Sequence, residues 1–304
     1  MSRRHVLVTG AGGFVGSALS RGFARLGWEV TAVDRHFDDA EQGGGIRRVS
    51  ADLGAAGEPE LPASDVVIHG AWVTSDPAML GIHPAEYVAQ NLRSLAAILE
   101  YAGRTRPHAF VFLSSSGVFS AHDGAGELND GIQPTGTSPY AAAKRAAELL
   151  LPSALPPPTA VHVVRLGYLF GPGERARASR ATVSLVGRLL EAARNGRPLV
   201  VPSDNPRRDW TFSQDLAPAL DRLLTEAPRD HPAHLCSPHV RRDREWADLI
   251  ASSVPDADLV PAAVPARPAK APMVASDLPA LGGFEWTTPE AGLELLLEAE
   301  AISS

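Results

Sequence analysis

The chain is nearly without cysteine and nearly without lysine: Cys236 is the one thiol, and Lys144 and Lys270 are the two lysines among 304 residues. A single cysteine excludes an internal disulfide and any thiolate metal cluster, and it suits a reducing compartment. Long apolar runs are also missing. The basic start "MSRR" is followed by "HVLV", which enters a glycine turn too soon to serve as a signal core or a membrane span. A cytoplasmic protein with no membrane association is therefore expected. Positive charge is scarce overall: the formal net charge is -7 and the pI near 5.8, which argues against a general nucleic-acid binder and for a small-molecule partner. The one concentrated basic stretch, "ERARASR" at 174–180, reads either as a solvated loop or as a contact for an anionic substrate.

The composition is that of a folded protein, with 44% hydrophobic and 21% charged residues. The length suits one large α/β domain or a large one with a smaller partner. Short apolar runs alternate with helical patterns through the first half, as in βαβ units around a parallel sheet buried on both faces. The strands read "HVLVTG", "EVTAVD", "DVVIHG", "AFVFLSS" and "AVHVVRLG"; the helices read "FVGSALSRGFARLG", "AEYVAQNLRSLAAILEYAG" and "SPYAAAKRAAELLL". Further on, "RATVSLVGRLLEAARNG", "QDLAPALDRLLTEA", "REWADLIASSV" and "TPEAGLELLLEAEA" predict helices, the last capped by Thr288 with Pro289 in its first turn. Residues 255–279, rich in proline and alanine, read as an irregular segment crossing the surface.

"VLVTGAGGFVGSAL" sets Gly10, Gly13 and Gly16 between the first strand and the first helix. Glycine there lets the backbone turn tightly and approach a pyrophosphate, whose charge then lies at the helix N-terminus. Asp34 ends the second strand, about 20 residues on, where an acid bonds both hydroxyls of an adenosine ribose and repels a 2′-phosphate. NAD is thus preferred to NADP, although Arg35 beside it is suited to the phosphate. Asp52 and Leu53, after a third strand signal, either flank the adenine or form a plain turn.

Tyr140 and Lys144 lie four apart in an alanine-rich helix, so the phenol and the ammonium share a face. A free tyrosine, with a pKa of about 10, is a poor base near neutrality, and a fixed cation beside it favours tyrosinate. The strand end "FLSSSGVFS" offers Ser114, Ser115 and Ser116 as hydroxyls to hold a reacting oxygen at the carboxyl edge of the sheet.

Together these motifs resemble the extended short-chain dehydrogenase/reductases, the NAD-dependent epimerase/dehydratase family. "TGAGGFVG" is similar to its cofactor turn, which adds Phe14 and Val15 to the glycines. "VIHGAW" resembles its H-x-A-A segment, placing Gly70, Ala71 and Trp72 at the cofactor with His69 structural rather than a metal ligand. "SSSGVF" and "SPYAAAK" are similar to its serine element and its Y-x-x-x-K. "RLGYLFGPG", "RRDWTFSQDLA" and "GGFEWTTPEAGL" resemble its later motifs. The resemblance implies Ser115 as the catalytic hydroxyl, Tyr140 as the base, and Lys144 as its tuner and the ligand of the nicotinamide ribose. It also implies Asn91 near the cofactor, and Ser116, Tyr168 and Arg208 toward the substrate. For Arg208 the alternative is an internal ion pair with Asp209 or Asp215.

The expected fold is α/β: a Rossmann-type doubly wound parallel sheet over residues 1–165, with a smaller C-terminal α/β substrate domain built mostly from 166–304. The expected activity is NAD-dependent oxidation of a secondary alcohol on a sugar-type substrate, with nucleotide-sugar 4-epimerisation first and dehydrogenation of a free sugar acid or polyol second. A nucleotide sensor on the same scaffold is a third reading, disfavoured because a sensor has no need of a base. Three departures from the family pattern bear on the substrate. Trp72 stands where a small residue is common, Tyr168 replaces an asparagine that helps hold nucleotide sugars, and Ser116-Gly117 replace the Asp-Glu of the dehydratases. The resemblance further implies a homodimer packed through residues near 90–103 and 139–151.

Overall fold

A computed structural model describes residues 3–37, 45–55, 60–254, 259–261 and 269–301. Strand β1 (His5–Thr9) leads through the glycine turn into α1 (Phe14–Arg25), followed by β2 (Glu29–Asp34), β3 (Ile46–Ser50) and β4 (Val66–His69). The short α2 (Pro77–Leu80) and long α3 (Pro84–Thr105) then precede β5 (Ala109–Ser115), α4 (Pro139–Leu150) and β6 (Ala160–Leu166). The later elements are β7 (Tyr168–Phe170), α5 (Leu185–Arg194), β8 (Leu199–Val201), β9 (Arg207–Phe212), α6 (Leu216–Leu223) and β10 (Ala233–Leu235). Then follow β11 (Val240–Arg242), α7 (Asp243–Ser253), β12 (Leu259–Pro261) and α8 (Pro289–Ala301).

Seven parallel strands form the central sheet in the order β10-β6-β5-β4-β1-β2-β3. Successive side chains of a strand point to opposite faces, and here both faces are apolar. Val6, Val8 and Ile68 pack under α1 and α6, whereas Leu7, Val67, Phe110 and Phe112 pack under α3 and α4. On the first face α1 lies so close to α6 that a Cβ on Gly22 would overlap Ala217. Chain order reverses between β1 and β4. At such a point the loops leaving adjacent strands diverge and open a crevice at their carboxyl ends.

A domain boundary was expected near residue 165, with the second domain built mostly from 166–304. The structure sends the chain back across that point, because β10 pairs with β6 and α6 covers the same sheet face as α1. A second core gathers Phe170, Leu189, Trp210, Phe212, Trp246 and Leu293 from β7, α5, β9, α7 and α8. Helix α5 begins later than its apolar pattern suggested. Ser184 caps it by accepting from the Gly187 amide, and the backbone at 180 instead pairs with Arg177. The proline-rich segment is less superficial than expected: β12 pairs with β8, and Met273 and Leu278 are buried. Its residues 255–258 and 262–268 lie outside the described residues. Thr288 does cap α8, accepting from the Ala291 amide. Among the described residues no helix is long and apolar enough to cross a membrane.

Helix α4 is tied to the sheet by a buried carboxylate. Glu148 accepts two hydrogen bonds from Arg165 of β6, at 2.9 and 2.7 Å, and a third from the Ser114 hydroxyl of β5, at 2.6 Å. Both partners of the ion pair are almost wholly inaccessible. Removing one member strands a buried charge, which typically costs about 3–5 kcal/mol. Glu148→Leu is therefore expected to lower unfolding free energy by about that amount in urea titrations, with the loss largest where Arg165 stays charged; a change below about 1 kcal/mol would contradict the assignment.

Candidate active site

The glycine turn is shaped by steric necessity. Gly10 has a φ of +72°, a left-handed conformation that suits glycine, and a Cβ there would come within 2.5 Å of the Gly70 carbonyl oxygen. A Cβ on Gly16 would overlap Gly10 itself, and one on Gly12 would overlap the His36 carbonyl. Gly13 precedes α1 and offers no capping side chain. The first amides of that helix therefore face the crevice with a partial positive charge, as an anion-binding terminus requires.

This crevice holds about 560 Å³ and is lined by Gly10, Gly13, Phe14, Val15 and Gly16, by Asp34 and Arg35, by Asp52 and Leu53, by Gly70, Ala71 and Trp72, and by Asn91. Every residue that the sequence assigned to the cofactor, apart from Tyr140 and Lys144, lies on its wall. Asp34 accepts from the amides of Gly12, at 3.0 Å, and His36, at 3.2 Å, so the same carboxylate that faces the crevice also holds the glycine turn. Arg35 sits 3.8 Å from Asp52 in an open ion pair at the rim. Asn91 is buried and works on the backbone: its Oδ1 accepts from Val73, at 2.8 Å, and its Nδ2 donates to Tyr87 O at 3.2 Å. These features suit an extended dinucleotide, with a cradle that any Cβ would fill, an uncapped helix end and an acid at the ribose position.

The basic stretch at 174–180 is not a free solvated loop. It roofs the crevice, pinned by Thr74 and Ser75 amides that donate to Ser179 O and by the Ser75 hydroxyl on Ala178 O. Arg177 donates to the Gly12 carbonyl, and Arg180 pairs with Glu174 while its guanidinium lies 5.1 Å over the Phe14 ring. The Nε of Arg180 is buried and has no hydrogen-bond partner among the described residues. Spacing in the sequence showed the charge but not its fold-back, because the anchoring residues 74 and 75 are about a hundred positions away.

Ser115 and Tyr140 meet at the end of β5. Ser115 Oγ accepts from the Gly117 amide at 3.0 Å, and a Cβ on Gly117 would come within 2.7 Å of the tyrosine ring and 3.3 Å of Ser115 Oγ, so the two side chains face one another across Gly117. Burial raises the Tyr140 phenol above its ordinary value; the Ser115 hydroxyl and the Arg180 guanidinium pull it down, and Glu148 pushes it up. The sequence led us to expect Lys144 as the tuning cation. In the structure the Arg180 guanidinium also favours tyrosinate. Lys144 Nζ is buried, donates to Leu113 O at 2.6 Å, and lies 4.0 Å from the centre of the Trp72 ring and 4.5 Å from that of Phe112. The bulky Trp72 thus covers the lysine.

On the substrate side, Ser116 is buried, and Tyr168 Oη accepts from Arg208 Nη1 at 2.6 Å. The carboxylate paired with Arg208 is Asp243, at 2.8 and 3.1 Å, rather than Asp209 or Asp215. Asp209 instead receives the amides of Tyr168 and Met273, and Asp215 receives Thr287. His69 bonds Thr9 at 2.8 Å, and burial holds its pKa down at about 3, so it stays neutral inside the sheet. Among the described residues there is no group of side chains suited to a metal ion.

Burial lowers the Lys144 pKa to about 7, opposed in part by Glu148. An unfolded lysine titrates near 10.4, so between about pH 7 and 10 the unfolded chain binds a proton that the folded protein does not. This contribution makes stability rise with pH across that window and is flat below it. Lys144→Met is expected to reduce the slope of unfolding free energy against pH by up to about 1.4 kcal/mol per unit between about pH 7.5 and 9.5. Cys236, whose thiol burial pushes well up, contributes equally to both proteins and cancels in the difference. Superimposable slopes would contradict the burial of the ammonium.

The model of the NAD dependent epimerase/dehydratase family matches residues 6–235. A 2-alkyl-3-oxoalkanoate reductase of Stenotrophomonas maltophilia is 30% identical over 227 residues, covering 70% of this chain and 62% of the reductase, so the chain spans less than two thirds of that relative. A GDP-6-deoxy-D-mannose reductase of Pseudomonas aeruginosa is 28% identical over 254 residues, covering 82% and 79%. Among solved structures, a UDP-glucose 4-epimerase of Thermotoga maritima has the same fold, with a TM-score of 0.79 at 18% identity over 98% of this chain and 99% of that one. The match across the sheet, the glycine turn and the serine–tyrosine site leads to one statement of kinship: the chain belongs to the NAD dependent epimerase/dehydratase family, whose relatives include epimerases, dehydratases and reductases, and NAD is its cofactor.

Proposed function

We propose that the protein oxidises a secondary alcohol of a sugar-type substrate, with 4-epimerisation of a nucleotide sugar as the leading reaction. The observation that carries this reading is the juxtaposition of Ser115 and Tyr140 across Gly117 at the carboxyl end of β5. The turn from Gly10 to Gly16 would hold the NAD pyrophosphate, Asp34 the adenosine ribose and Lys144 the nicotinamide ribose. Bound NAD supplies the hydride acceptor and, where the hydride is returned to the other face of the keto intermediate, its donor.

The chain's own groups manage the proton and the oxygen. Tyrosinate at Tyr140 takes the hydroxyl proton, while the Ser115 hydroxyl donates to the same oxygen as it becomes a carbonyl. Because the free phenol titrates above its ordinary value, added positive charge is needed, and Arg180 supplies part of it. The segment 174–180 lies over the crevice and brings the Arg180 charge toward the reacting end. Ser116-Gly117, in place of an acidic pair, leaves no carboxyl group to eliminate water.

The second reading is dehydrogenation of a free sugar acid. Tyr168 favours it, since the hydroxyl that replaces the usual asparagine amide is already held by Arg208. The homodimer expected from the resemblance remains part of the proposal. It is supported by Leu149 and Leu150, which are 82% and 55% exposed on α4.

Two measurements test the assignment. Tyr140→Phe is expected to bind NAD within a few-fold of the wild type and to lose at least about a hundredfold in turnover, followed by reduced-cofactor absorbance and product chromatography on nucleotide sugars and sugar acids. Undiminished turnover would remove Tyr140 from the mechanism. Asp34→Ala is expected to weaken NAD about tenfold or more while leaving the weaker NADP affinity nearly unchanged, as read by calorimetry; equal losses would overturn the ribose assignment.

A further inference from the structure

Lys270 lies outside every motif so far invoked, yet its ammonium reaches the reacting end of the site. Its Nζ donates to the Ser116 hydroxyl at 2.6 Å, one residue from Ser115, and stands 4.7 Å from the centre of the Tyr168 ring. The other face of this cluster holds a second cation, Arg208, whose guanidinium is 4.6 Å from the same ring. The two cations differ in how their charge is met. Arg208 is locked to Asp243 by two hydrogen bonds and is neutralised within the fold. Lys270 has no carboxylate within ion-pair distance among the described residues.

The Asp209 carboxylate feels the Lys270 charge but is committed elsewhere. One oxygen receives the Met273 amide, at 2.9 Å, and the other the Tyr168 amide, at 3.3 Å, in a buried position between β7 and the segment that carries the lysine. Burial also raises its pKa to about 6, with Lys270 pulling it down. Asp209 therefore fixes the backbone around Lys270 without covering the ammonium. Lys270 and Tyr168 are only half-buried, so the ammonium keeps donors for a ligand.

We propose that Lys270 is a specificity-determining residue that binds a carboxylate on the substrate beside the alcohol being oxidised. This inference rests on the oxidation of a sugar-type alcohol at Ser115 and Tyr140, and it names the substrate class as a sugar acid, free or nucleotide-linked. A half-buried cation with a single neutral hydrogen-bond partner gains most from an anion that arrives with the ligand, because a charge-assisted bond in a partly dry site is stronger than a neutral one. A neutral hydroxymethyl group at the same place would leave the ammonium without its counter-charge.

The test is binding to the full chain loaded with NAD, by calorimetry, with UDP-glucuronate against UDP-glucose and free galacturonate against galactose. The wild type is expected to favour the acid of at least one pair by about tenfold or more. Lys270→Met is expected to abolish that preference while leaving the neutral sugar within about twofold, and Lys270→Arg to restore part of it. The pair in which the preference appears tells a nucleotide-linked acid from a free one. No preference for either acid in the wild type, or an equal loss for acid and neutral sugar in Lys270→Met, would overturn the proposal. These are affinities, so they are read whether or not turnover depends on Tyr140; loss of the oxidation reading is seen separately in Tyr140→Phe.

Discussion

The site depends on one buried carboxylate. Glu148 lies four residues beyond Lys144 and eight beyond Tyr140, so all three share a face of α4. By accepting from Arg165 and from Ser114 it clamps that face onto β6 and β5. The clamp places the tyrosine ring against Ser115 at the end of β5 and the lysine against the Leu113 carbonyl two residues earlier. Glu148 also acts at a distance, because its charge raises the pKa of both Tyr140 and Lys144. The same residue thus positions both groups, while burial remains the larger influence on their protonation.

The remaining geometry follows from where the sheet changes direction. The loops that leave β1 and β4 diverge, and the crevice between them is bounded below by the glycine turn and above by the 174–180 segment, which hydrogen-bonds back to residues 74 and 75. Arginine serves the roof well. A planar guanidinium can lie over Phe14 and pair with Glu174 at once, as Arg180 does. Beyond the roof a separate apolar core built around Trp210 and Trp246 supports Tyr168 and Arg208. The two cores meet at β6 and β7, joined through Gly167, where a Cβ would overlap the Asp209 carboxylate.

Much of this was legible from local pattern. Short continuous apolar runs, helical spacing and glycines at a strand end identify the parallel sheet, the cofactor turn and α4, because each depends on residues close in sequence. Other features were not legible. Arg208 was read toward the substrate, with an ion pair to Asp209 or Asp215 as the alternative, whereas the pairing of β11 with β9 brings Asp243, the first residue of α7, to it. Lys144 was placed beside Tyr140 by spacing, which did not show its cover by Trp72, its bond to the Leu113 carbonyl or the Arg180 guanidinium that acts on the same phenol. Helix α5 was read as starting at 180, whereas Glu174 takes the Ser184 amide and hydroxyl and ends the extended segment there.

The amino-acid sequence by itself determined which chemistries are present: a glycine cradle, an acid after the second strand, a serine and a tyrosine–lysine pair, each carried by a short stretch whose backbone preference is local. Tertiary structure alone decided which charges meet. The partners of Arg208, Arg180, Glu148 and Lys270 are brought together by strand order and helix packing, and an ion pair or an unmatched cation is a property of that assembly rather than of spacing along the chain.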